Sequence, residues 1–364
     1  MTAKVFHVVT NKVWGGGEQF VLDLSRRLVA DGWDICLFCR PIPALTSPFS
    51  KANLPLRELP LKGITDFWSA WKMAKVLKQA GPCIVHLHNF KDAFMAAYAR
   101  KLSGNKQVRI IVARHLAKKG KKSALYTWLY RQIDAICFVS EMAKQTFLSS
   151  HPPIDPQHIN VIHNSIYLPR PVTPCPIRQE FHIADHLAIA MYHGRLHKEK
   201  GLDTLIEAIG QIREKPFVML VFGQGSTDYT NHLKEVIQAQ GLQQKVIMAG
   251  FQESILPYVA SADFGVVPSV VRESFSLAAL EYLSQGHTVV ATNHGGQTEF
   301  LTDRKNSLLV PHSDSHLLAK AIAELVDNPP LCQQLGQQGL KDFQSQYDYE
   351  HFYENMSRLY ERIL

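Results

Sequence analysis

Short apolar runs rich in β-branched residues alternate with amphipathic stretches along the whole chain. In the first half the apolar runs are KVFHVV, DICLFCR, CIVHLHN, VRIIVAR and AICFVS. Between the first two runs, apolar residues recur at helical spacing at Phe20, Val21, Leu24 and Leu28. Nearly continuous apolar strands separated by amphipathic helices predict parallel sheets that are covered by helices on both faces. The sequence therefore predicts an α/β protein.

The alternation is interrupted by a proline-rich segment and then restarts. This segment contains Pro169, Pro171, Pro174 and Pro176, whose fixed φ angles and missing N–H groups suit a semi-rigid connector. The apolar runs that follow are LAIAMYHG, FVMLVFG, KVIMAGF, FGVVPS, HTVVATN and SLLVP, with helices expected near residues 201–213, 229–240 and 276–285.

A chain of 364 residues suits two domains of about 150–200 residues each. We predict two Rossmann-like domains with doubly wound parallel sheets, over residues 1–168 and 177–346, facing each other across a cleft. Sheets of this kind bind their ligands at the carboxyl ends of the strands. Candidate functional residues are therefore sought at those ends.

Composition and cysteine content exclude several classes of protein. With 46% hydrophobic and 20% charged residues, the chain is typical of neither disordered nor low-complexity proteins. No apolar run approaches the roughly 20 residues that cross a bilayer, and the N-terminus is typical of a first strand rather than a signal peptide. We therefore expect a soluble cytoplasmic protein. Cys36 and Cys39 would point to opposite faces of a strand and are expected to be core residues rather than a redox or zinc pair.

Charge is distributed unequally between the two halves. Residues 1–168 hold 23 Lys and Arg against 10 Asp and Glu, whereas the rest of the chain holds 16 against 22. The first half is thus strongly basic (+13) and the second mildly acidic (−6). This asymmetry indicates an anionic partner for the first half, such as nucleic acid, an anionic lipid or a phosphorylated substrate.

Two glycine-containing segments at predicted strand ends suit phosphate binding. Gly15-Gly16-Gly17 opens the first helix, where a bare backbone can approach a ligand and the helix N-terminus favours negative charge. A simple tight turn is equally compatible with this triplet. In the segment from His193 to Gly201, Arg195 and Lys200 can converge on a pair of phosphates, and the alternative is a solvated basic loop.

A third segment, from Glu273 to Glu281, follows the run FGVVPS. A helix is predicted to begin near Ser276 and would direct its first N–H groups at a phosphate. The two glutamates lie on either side of that position, and ionised carboxylates only accept hydrogen bonds. They therefore suit two sets of sugar hydroxyls. A fourth segment, from Gly295 to Glu299, is by itself an ordinary turn.

Together these segments resemble the donor-binding half of retaining glycosyltransferases of family 4, which have the GT-B fold. The resemblance is carried by Gly194-Arg195-Leu196, Lys200-Gly201, Phe222-Gly223-Gln224-Gly225, Glu273, Glu281, Gly295-Gly296 and Glu299. The first half resembles the same family through the glycine triplet, His115 and Asn164. The resemblance therefore covers nearly the whole chain.

The resemblance implies roles for individual residues. Arg195 and Lys200 would hold the donor diphosphate, and Glu281 would accept from the ribose hydroxyls. Glu273 would bind hydroxyls of the transferred sugar, which His115 would face. The implied catalytic residues are thus His115, Arg195, Lys200 and Glu273. The implied donor-binding residues are Gly16, Gly17, Arg195, Lys200, Gly223, Ser274, Phe275, Ser276, Leu277 and Glu281.

Two further expectations follow from the family resemblance. The family usually has glycine where Ser276 stands, which leaves the donor's identity open. The terminal helix, expected over residues 347–364, packs back on the first domain by analogy.

No metal or other cofactor is expected. The chain contains no Asp-x-Asp motif, and the resemblance implies transfer without a metal. His86 and His88 would share one face of a strand and are a possible metal pair. No third ligand with recognisable spacing lies near them in the sequence.

A basic segment precedes a short predicted helix in the first half. The residues expected to contact an acceptor or a membrane are Lys118, Lys119, Lys121, Lys122 and Trp128. Lysines beside interfacial aromatic residues are typical of peripheral membrane helices. The alternatives are a core-facing helix behind a solvated basic loop and, less favoured, a nucleic-acid site.

The sequence thus predicts a hexosyltransferase that uses a nucleotide diphosphate sugar as donor. We expect retention of configuration, no metal, and a lipid-linked or cell-envelope glycan such as lipopolysaccharide as acceptor, at the inner face of the cytoplasmic membrane. Two alternatives stay open: a sugar-nucleotide epimerase of the same fold, and a non-catalytic protein that binds sugar nucleotides or glycans. No nucleic-acid partner is expected.

Overall fold

The structure, a computed structural model, describes residues 4–168 and 171–364, which form two compact units. The first unit comprises residues up to His163 together with Glu350–Leu364, and the second is Asn164–Tyr349. The first unit therefore ends slightly before residue 168, where the sequence placed its boundary. Pro169, the first proline of the predicted connector, lies outside the described residues.

The first unit is built on a seven-stranded sheet in which all neighbouring strands are parallel. The strand order is β3-β2-β1-β4-β5-β6-β7. The predicted strands are all present, and two further strands of three residues each lie at the edges. The strands are β1 Lys4–Val9, β2 Asp34–Cys39, β3 Leu56–Glu58, β4 Cys83–Leu87, β5 Val108–Arg114, β6 Ala135–Phe138 and β7 Ile159–Val161.

Helices cover both faces of this sheet. Because successive strand residues point to opposite faces, Phe6 and Val8 lie in the large core cluster, whereas His7 lies on the other side of the sheet. That cluster is lined by α3, α4, α5 and α6. The helices of the first unit are α1 Gly16–Ala30, α2 Pro43–Lys51, α3 Phe67–Lys78, α4 Ala93–Ser103, α5 Ala124–Tyr130, α6 Glu141–Leu148 and α14 Tyr349–Ile363.

The terminal helix α14 packs on the first unit. Tyr360 is completely buried, and its hydroxyl lies 2.6 Å from Nδ1 of His86 on β4. Arg27 of α1 pairs with Glu350, and its guanidinium lies 4.4 Å from the ring of Tyr353. Aromatic packing and ion pairing therefore attach the last residues of the chain to its first helix and its central strands.

The second unit contains a six-stranded sheet, again with all neighbours parallel, in the order β10-β9-β8-β11-β12-β13. All six strands were predicted. They are β8 Ala188–His193, β9 Phe217–Phe222, β10 Val246–Gly250, β11 Phe264–Val267, β12 Thr288–Thr292 and β13 Leu308–Val310. The helices are α7 Ile177–Glu180, α8 Leu202–Gln211, α9 Thr227–Ala239, α10 Leu256–Val259, α11 Leu277–Ser284, α12 Ser315–Asp327 and α13 Pro329–Asp342.

The cysteines are free thiols, five of them buried. Cys36 and Cys39 are buried core residues of β2, as predicted. Burial raises the pKa of the Cys39 thiol to about 12, so this group stays protonated and unreactive at neutral pH. Among the described residues, no helix is both long enough and apolar enough to span a membrane.

Candidate functional site

The loop after β8 carries Arg195, which is exposed, and Lys200, which ends a short 3₁₀ turn. Gly201 follows at a φ of 75°, and a Cβ atom there would lie 1.9 Å from the carbonyl oxygen of Pro268. Only glycine permits this approach. The segment that carries Lys200 therefore lies directly against the chain leaving β11.

Lys200 and Glu273 form an ion pair at this edge of the sheet. The Lys200 ammonium lies 2.9 Å from Oε1 of Glu273, and the two side chains are only 20% and 14% exposed. The hydroxyl of Ser269 donates to the same carboxylate oxygen. Because the pair is partly buried, water and salt screen its electrostatic attraction less than that of a surface pair. Two of the predicted site residues are thus brought together after the adjacent strands β8 and β11.

The glycine pair after β12 holds the backbone of Glu273. The N–H of Gly296 donates to the carbonyl oxygen of Glu273 at 2.7 Å. Gly295 has a φ of 86°, and a Cβ there would lie 2.8 Å from the same oxygen and 2.9 Å from the Glu273 nitrogen. The fourth sequence segment is therefore a support for Glu273, a role that the sequence analysis did not give it.

Helix α11 begins at Leu277, and Ser276 is its N-cap. The Ser276 hydroxyl, almost completely buried, accepts a hydrogen bond from the N–H of Ala279 at 3.4 Å. Serine is a preferred N-cap residue, which gives a physical reason for serine at a position where the family usually has glycine. Ser274 and Phe275 precede the cap, and the ring of Phe275 packs on Phe300 at 4.9 Å between centroids.

Glu281 lies on α11 and contacts His193, the last residue of β8. Nε2 of His193 lies 2.5 Å from Oε2 of Glu281, and its Nδ1 lies 2.9 Å from the hydroxyl of Tyr282. Tyr282 is completely buried, and its hydroxyl donates to the carbonyl oxygen of Met191 at 2.8 Å. The Glu281 carboxylate is thus oriented by a chain of contacts to β8. No role for His193 was predicted from the sequence.

Two residues near Arg195 complete the loop region of this unit. Tyr192 is buried on β8, and its hydroxyl donates to the Arg195 carbonyl oxygen at 2.8 Å. Burial raises the pKa of Tyr192 above its usual range, and the charge of Glu273 acts in the same direction. Gly223 directly follows β9, and its N–H donates to Gly250 at 2.7 Å. The loops after β8 and β9 are thereby held in place.

Two family models match nearly the whole length of this chain. Residues 14–170 match the model described as Glycosyltransferase Family 4, and residues 176–342 match the model described as Glycosyl transferases group 1. The chain belongs to these glycosyltransferases. The family resemblance seen in the sequence is thereby confirmed, as is the predicted class of enzyme.

Similar proteins agree with this assignment. The chain is 26% identical to EpsD of Bacillus subtilis, a protein named as a glycosyltransferase, over 85% of this chain and 84% of that one. It is 31% identical to the lipopolysaccharide core biosynthesis glycosyltransferase LpsE of Rhizobium meliloti over 44% of this chain and 46% of that one.

A solved structure shows the same fold. HepE from Anabaena, in complex with UDP, matches 99% of this chain and 100% of its own with a TM-score of 0.85 and 16% identity. The predicted GT-B fold, with its two parallel-sheet α/β domains, is confirmed. This protein is a glycosyltransferase with the GT-B fold.

The first unit of the glycosyltransferase presents the glycine triplet at the start of α1. A Cβ built on Gly16 would meet nothing within 4 Å, and one built on Gly17 would meet only Nδ2 of Asn11 at 4.0 Å. Packing within the protein therefore does not require these glycines. The bare backbone leaves room for an approaching molecule, and the donor-binding role of Gly16 and Gly17 stays a prediction.

His115 lies in a cluster of four histidines in the first unit. Its ring stacks on His88 with 6.1 Å between centroids, and Phe20 packs edge-on against it at 5.4 Å. Nδ1 of His7 lies 3.1 Å from Nε2 of His88, and the His86 and His88 rings are 4.4 Å apart. Burial lowers the pKa of His115 to about 4 and that of His7 to about 3. The cluster is therefore neutral at physiological pH.

Three of these histidines could hold a transition-metal ion. His7, His86 and His88 each offer a ring nitrogen, and these nitrogens lie within 4.8 Å of one another. The third member comes from β1, which pairs with β4 in the sheet, so spacing along the sequence could not reveal it. Neutral imidazoles are suitable ligands, but the group contains no carboxylate to balance a buried dication. The expectation that no metal is needed stays a prediction.

The basic segment before α5 is on the surface. Lys118, Lys119, Lys121 and Lys122 are exposed, and the Lys121 ammonium lies 4.7 Å from the ring of Tyr126. Trp128 is partly buried: its ring stacks on Tyr98 at 5.6 Å and packs against the core cluster. The lysines before α5 are thus available to an anionic partner, whereas Trp128 of α5 mainly packs on the protein.

We predict that the histidine cluster makes the first unit lose stability as the pH falls from about 6.5 towards 4. In the unfolded chain each histidine binds a proton near its usual pKa, whereas burial keeps the pKa values of His7, His86, His88 and His115 far below it. The unfolded chain therefore binds more protons than the folded protein in this pH range. As the pH falls, the free energy of unfolding decreases.

The test compares pH slopes of the free energy of unfolding, measured by urea titration. Burial raises the pKa of the Asp23 and Asp92 carboxyl groups to about 6, so these groups stabilise the folded state as the pH falls and partly cancel the effect of the histidines. The slope of each variant is therefore compared with that of the wild type. His7→Phe should reduce the slope by about one proton, or about 1.4 kcal/mol per pH unit. His151→Asn, at an exposed histidine, controls for loss of a histidine as such. An equal slope in wild type and His7→Phe would contradict a buried neutral cluster.

We also predict that Gly295→Ala weakens donor binding through Glu273. Gly286→Ala is a matched control, because Gly286 also has a positive φ, 78°, but its Cβ would come no closer than 3.7 Å to Leu340. Both alanines would adopt a positive φ that residues with a Cβ rarely occupy, at a cost of about 1–3 kcal/mol, so both should lower the melting temperature. Only Gly295→Ala should also lower the affinity for the nucleotide sugar, by about tenfold or more, as measured by calorimetry. Equal affinities in the two variants would argue against this supporting role.

Proposed function

We propose that the protein transfers a hexose from a nucleotide diphosphate sugar to a glycan of the cell envelope, with retention of configuration and without a metal ion. The observation that carries the proposal is the meeting of Lys200 and Glu273, 2.9 Å apart, beside the N-terminus of α11. A cation, a carboxylate and helix N–H groups at one sheet edge suit a sugar attached to a diphosphate.

The diphosphate would be held by Arg195, Lys200 and the start of α11. An ammonium group has three N–H donors, so Lys200 can keep its bond to Glu273 and still donate to a phosphate oxygen. Arg195 is exposed, and its planar guanidinium can take two phosphate oxygens at once. In the first turn of α11, the Ala279 N–H donates to the Ser276 hydroxyl. The N–H groups of Leu277 and Ala278 precede it, have no partner within the helix and would donate to the same phosphate group.

The two glutamates would bind the two sugars of the donor. Glu281, oriented by His193, would accept hydrogen bonds from the ribose hydroxyls. Glu273, whose backbone and side chain are both held, would accept from hydroxyls of the transferred hexose. The rigidity of both carboxylates favours precise placement of the bond to be broken.

During transfer, the bond between the anomeric carbon and the diphosphate breaks, and a bond to an acceptor hydroxyl oxygen forms. The leaving diphosphate gains negative charge, and the proton of the acceptor hydroxyl is released. Arg195 and Lys200 would stabilise the developing charge by preorganised positive charge, which is the task that a metal ion performs elsewhere. His115, as a neutral imidazole, stays predicted to face the hexose.

The acceptor class is inferred from similarity and charge. The relative LpsE is named for lipopolysaccharide core biosynthesis, and the basic first half, with its exposed lysines, suits a phosphorylated or lipid-linked glycan. Free thiols at all six cysteines are typical of cytosolic proteins. We therefore propose transfer on the cytoplasmic side of the membrane.

The donor is tested by thermal shift with UDP, GDP, ADP and TDP sugars. We expect the UDP series to stabilise the wild type, since HepE was crystallised with UDP, and a ligand at 100 times its Kd adds about 2.7 kcal/mol. Glu281→Gln should abolish this stabilisation. Glu235→Gln, at an exposed position of α9, is the matched control and should retain it. If no nucleotide sugar stabilises the wild type, the chain has the fold without a donor site.

Transfer itself is tested with that donor and a lipopolysaccharide core oligosaccharide, with products identified by NMR. We expect nucleotide diphosphate release, an anomeric configuration equal to that of the donor, and no loss of rate with EDTA. Glu273→Gln should reduce kcat by about 10²–10³-fold, the size of effect seen when one group that stabilises a transition state is removed. Epimerised donor without nucleotide release would indicate an epimerase instead, and donor binding without turnover a binding protein.

A further inference from the structure

Helix α3 of the first unit exposes three large aromatic side chains on one face. Phe67 is 60% exposed, Trp68 53% and Trp71 45%. The opposite face of the helix is buried in the core through Ala70, Met73 and Leu77. A contiguous exposed patch of this kind marks an interaction site rather than ordinary surface.

Three lysines share this outward face of α3. At about 100° per residue, Lys72, Lys75 and Lys78 fall with the three aromatic residues within an arc of about 140°. The Lys75 ammonium lies 3.5 Å from the centroid of the Trp71 ring, and that of Lys72 lies 5.1 Å from the Trp68 ring. The helix sequence, FWSAWKMAKVLK, contains no acidic residue. The patch is therefore both apolar and uniformly cationic.

The patch is held rigidly by its surroundings. Asp66 caps the helix by accepting from the N–H and the hydroxyl of Ser69, at 2.9 and 2.6 Å. The Phe67 ring packs on Tyr98 of α4 at 5.3 Å, and Tyr98 in turn stacks on Trp128 of α5. The exposed aromatic face is thus continuous with α5, which the four lysines of residues 118–122 precede. Binding to it would need little reordering of the protein.

We propose that this outward face of α3 docks the protein on an anionic lipid bilayer. Phe67, Trp68 and Trp71 would enter the boundary between headgroups and acyl chains, where amphipathic aromatic rings are favoured. The three lysines would contact anionic headgroups, joined by the exposed segment of residues 118–122. The proposal places the apolar anchor on α3 rather than on Trp128, and it depends on the first unit alone, not on the donor site.

Charge and shape favour a bilayer over other anionic partners. Nucleic acid would need bases stacked on aromatic rings along a groove, whereas these rings lie on the convex outer face of a single helix. A lysine over each tryptophan ring combines an apolar base with a cationic tip, which is the arrangement that suits a lipid interface. Other occupants are outcomes of the test.

The test is sedimentation of the full chain with phosphatidylcholine vesicles, with and without phosphatidylglycerol. We expect the wild type to bind only vesicles that contain phosphatidylglycerol. Trp68→Ser with Trp71→Ser should lower the partition coefficient at least tenfold, and Trp68→Phe with Trp71→Phe should largely restore it. Lys72→Gln with Lys75→Gln should reduce binding by a similar factor. Val29→Ser, at an exposed apolar residue of α1, is the matched control and should bind as the wild type does.

Two results would overturn the proposal. One is equal partitioning of the wild type and the serine variant when their melting curves coincide. The other is that heparin, a soluble anionic polymer, binds the protein with the same dependence on the two tryptophans and displaces it from vesicles. Quenching of tryptophan fluorescence by brominated lipid in the wild type, but not in the phenylalanine variant, would independently support insertion of the α3 rings. Thermal shift with a nucleotide sugar should be the same in all variants, so failure here is distinguishable from failure of the proposed transferase function.

Discussion

The parallel arrangement of strands is the constraint on which the candidate donor site depends. In the second unit β8 lies between β9 and β11, and the carboxyl ends of parallel strands meet at one edge of a sheet. Lys200 after β8 and Glu273 after β11 can form their partly buried ion pair only because these strands are neighbours. The glycines at 201 and 295 then let the loops approach closely enough to keep the pair in place.

The first unit uses the same sheet topology for a different purpose. One face of its sheet is packed with apolar residues against α3 to α6, whereas the other face carries the histidine cluster beside α1 and α14. Because the buried imidazoles are uncharged, this face is neutral, although the unit as a whole is strongly basic. The positive charge is therefore concentrated on the outside, where Lys72, Lys75 and the segment of residues 118–122 lie. Charge on the surface and neutrality within suit a unit that meets an anionic acceptor or membrane.

Much of the fold was predictable because its signals are local. The long strands were recognised from apolar runs, and Ser276 was recognised as a helix start. The edge strands β3 and β7 were missed because each is three residues long and interrupted by polar or charged residues, LRE and INV, whereas the equally short β13 lies in a continuous apolar run. His193 was missed as a partner of Glu281 because the two are 88 residues apart in the chain, and His7 was missed as a neighbour of His86 for the same reason. The aromatic residues of α3 were visible in the sequence, but their exposure was not.

By itself, the sequence determined the α/β class, the two sheets, the core role of Cys36 and Cys39 and the positions of the residues that resemble a donor site. These depend on periodicity, turn chemistry and short motifs, which act over a few residues. Only the tertiary structure decided which of those residues meet: Lys200 with Glu273, Glu281 with His193, and Gly295 with the Glu273 backbone. It also decided that Trp128 packs inward while Trp68 and Trp71 face solvent. The reason is physical, since contacts between distant segments and the choice of a buried helix face follow from how strands order in a sheet and helices pack upon it.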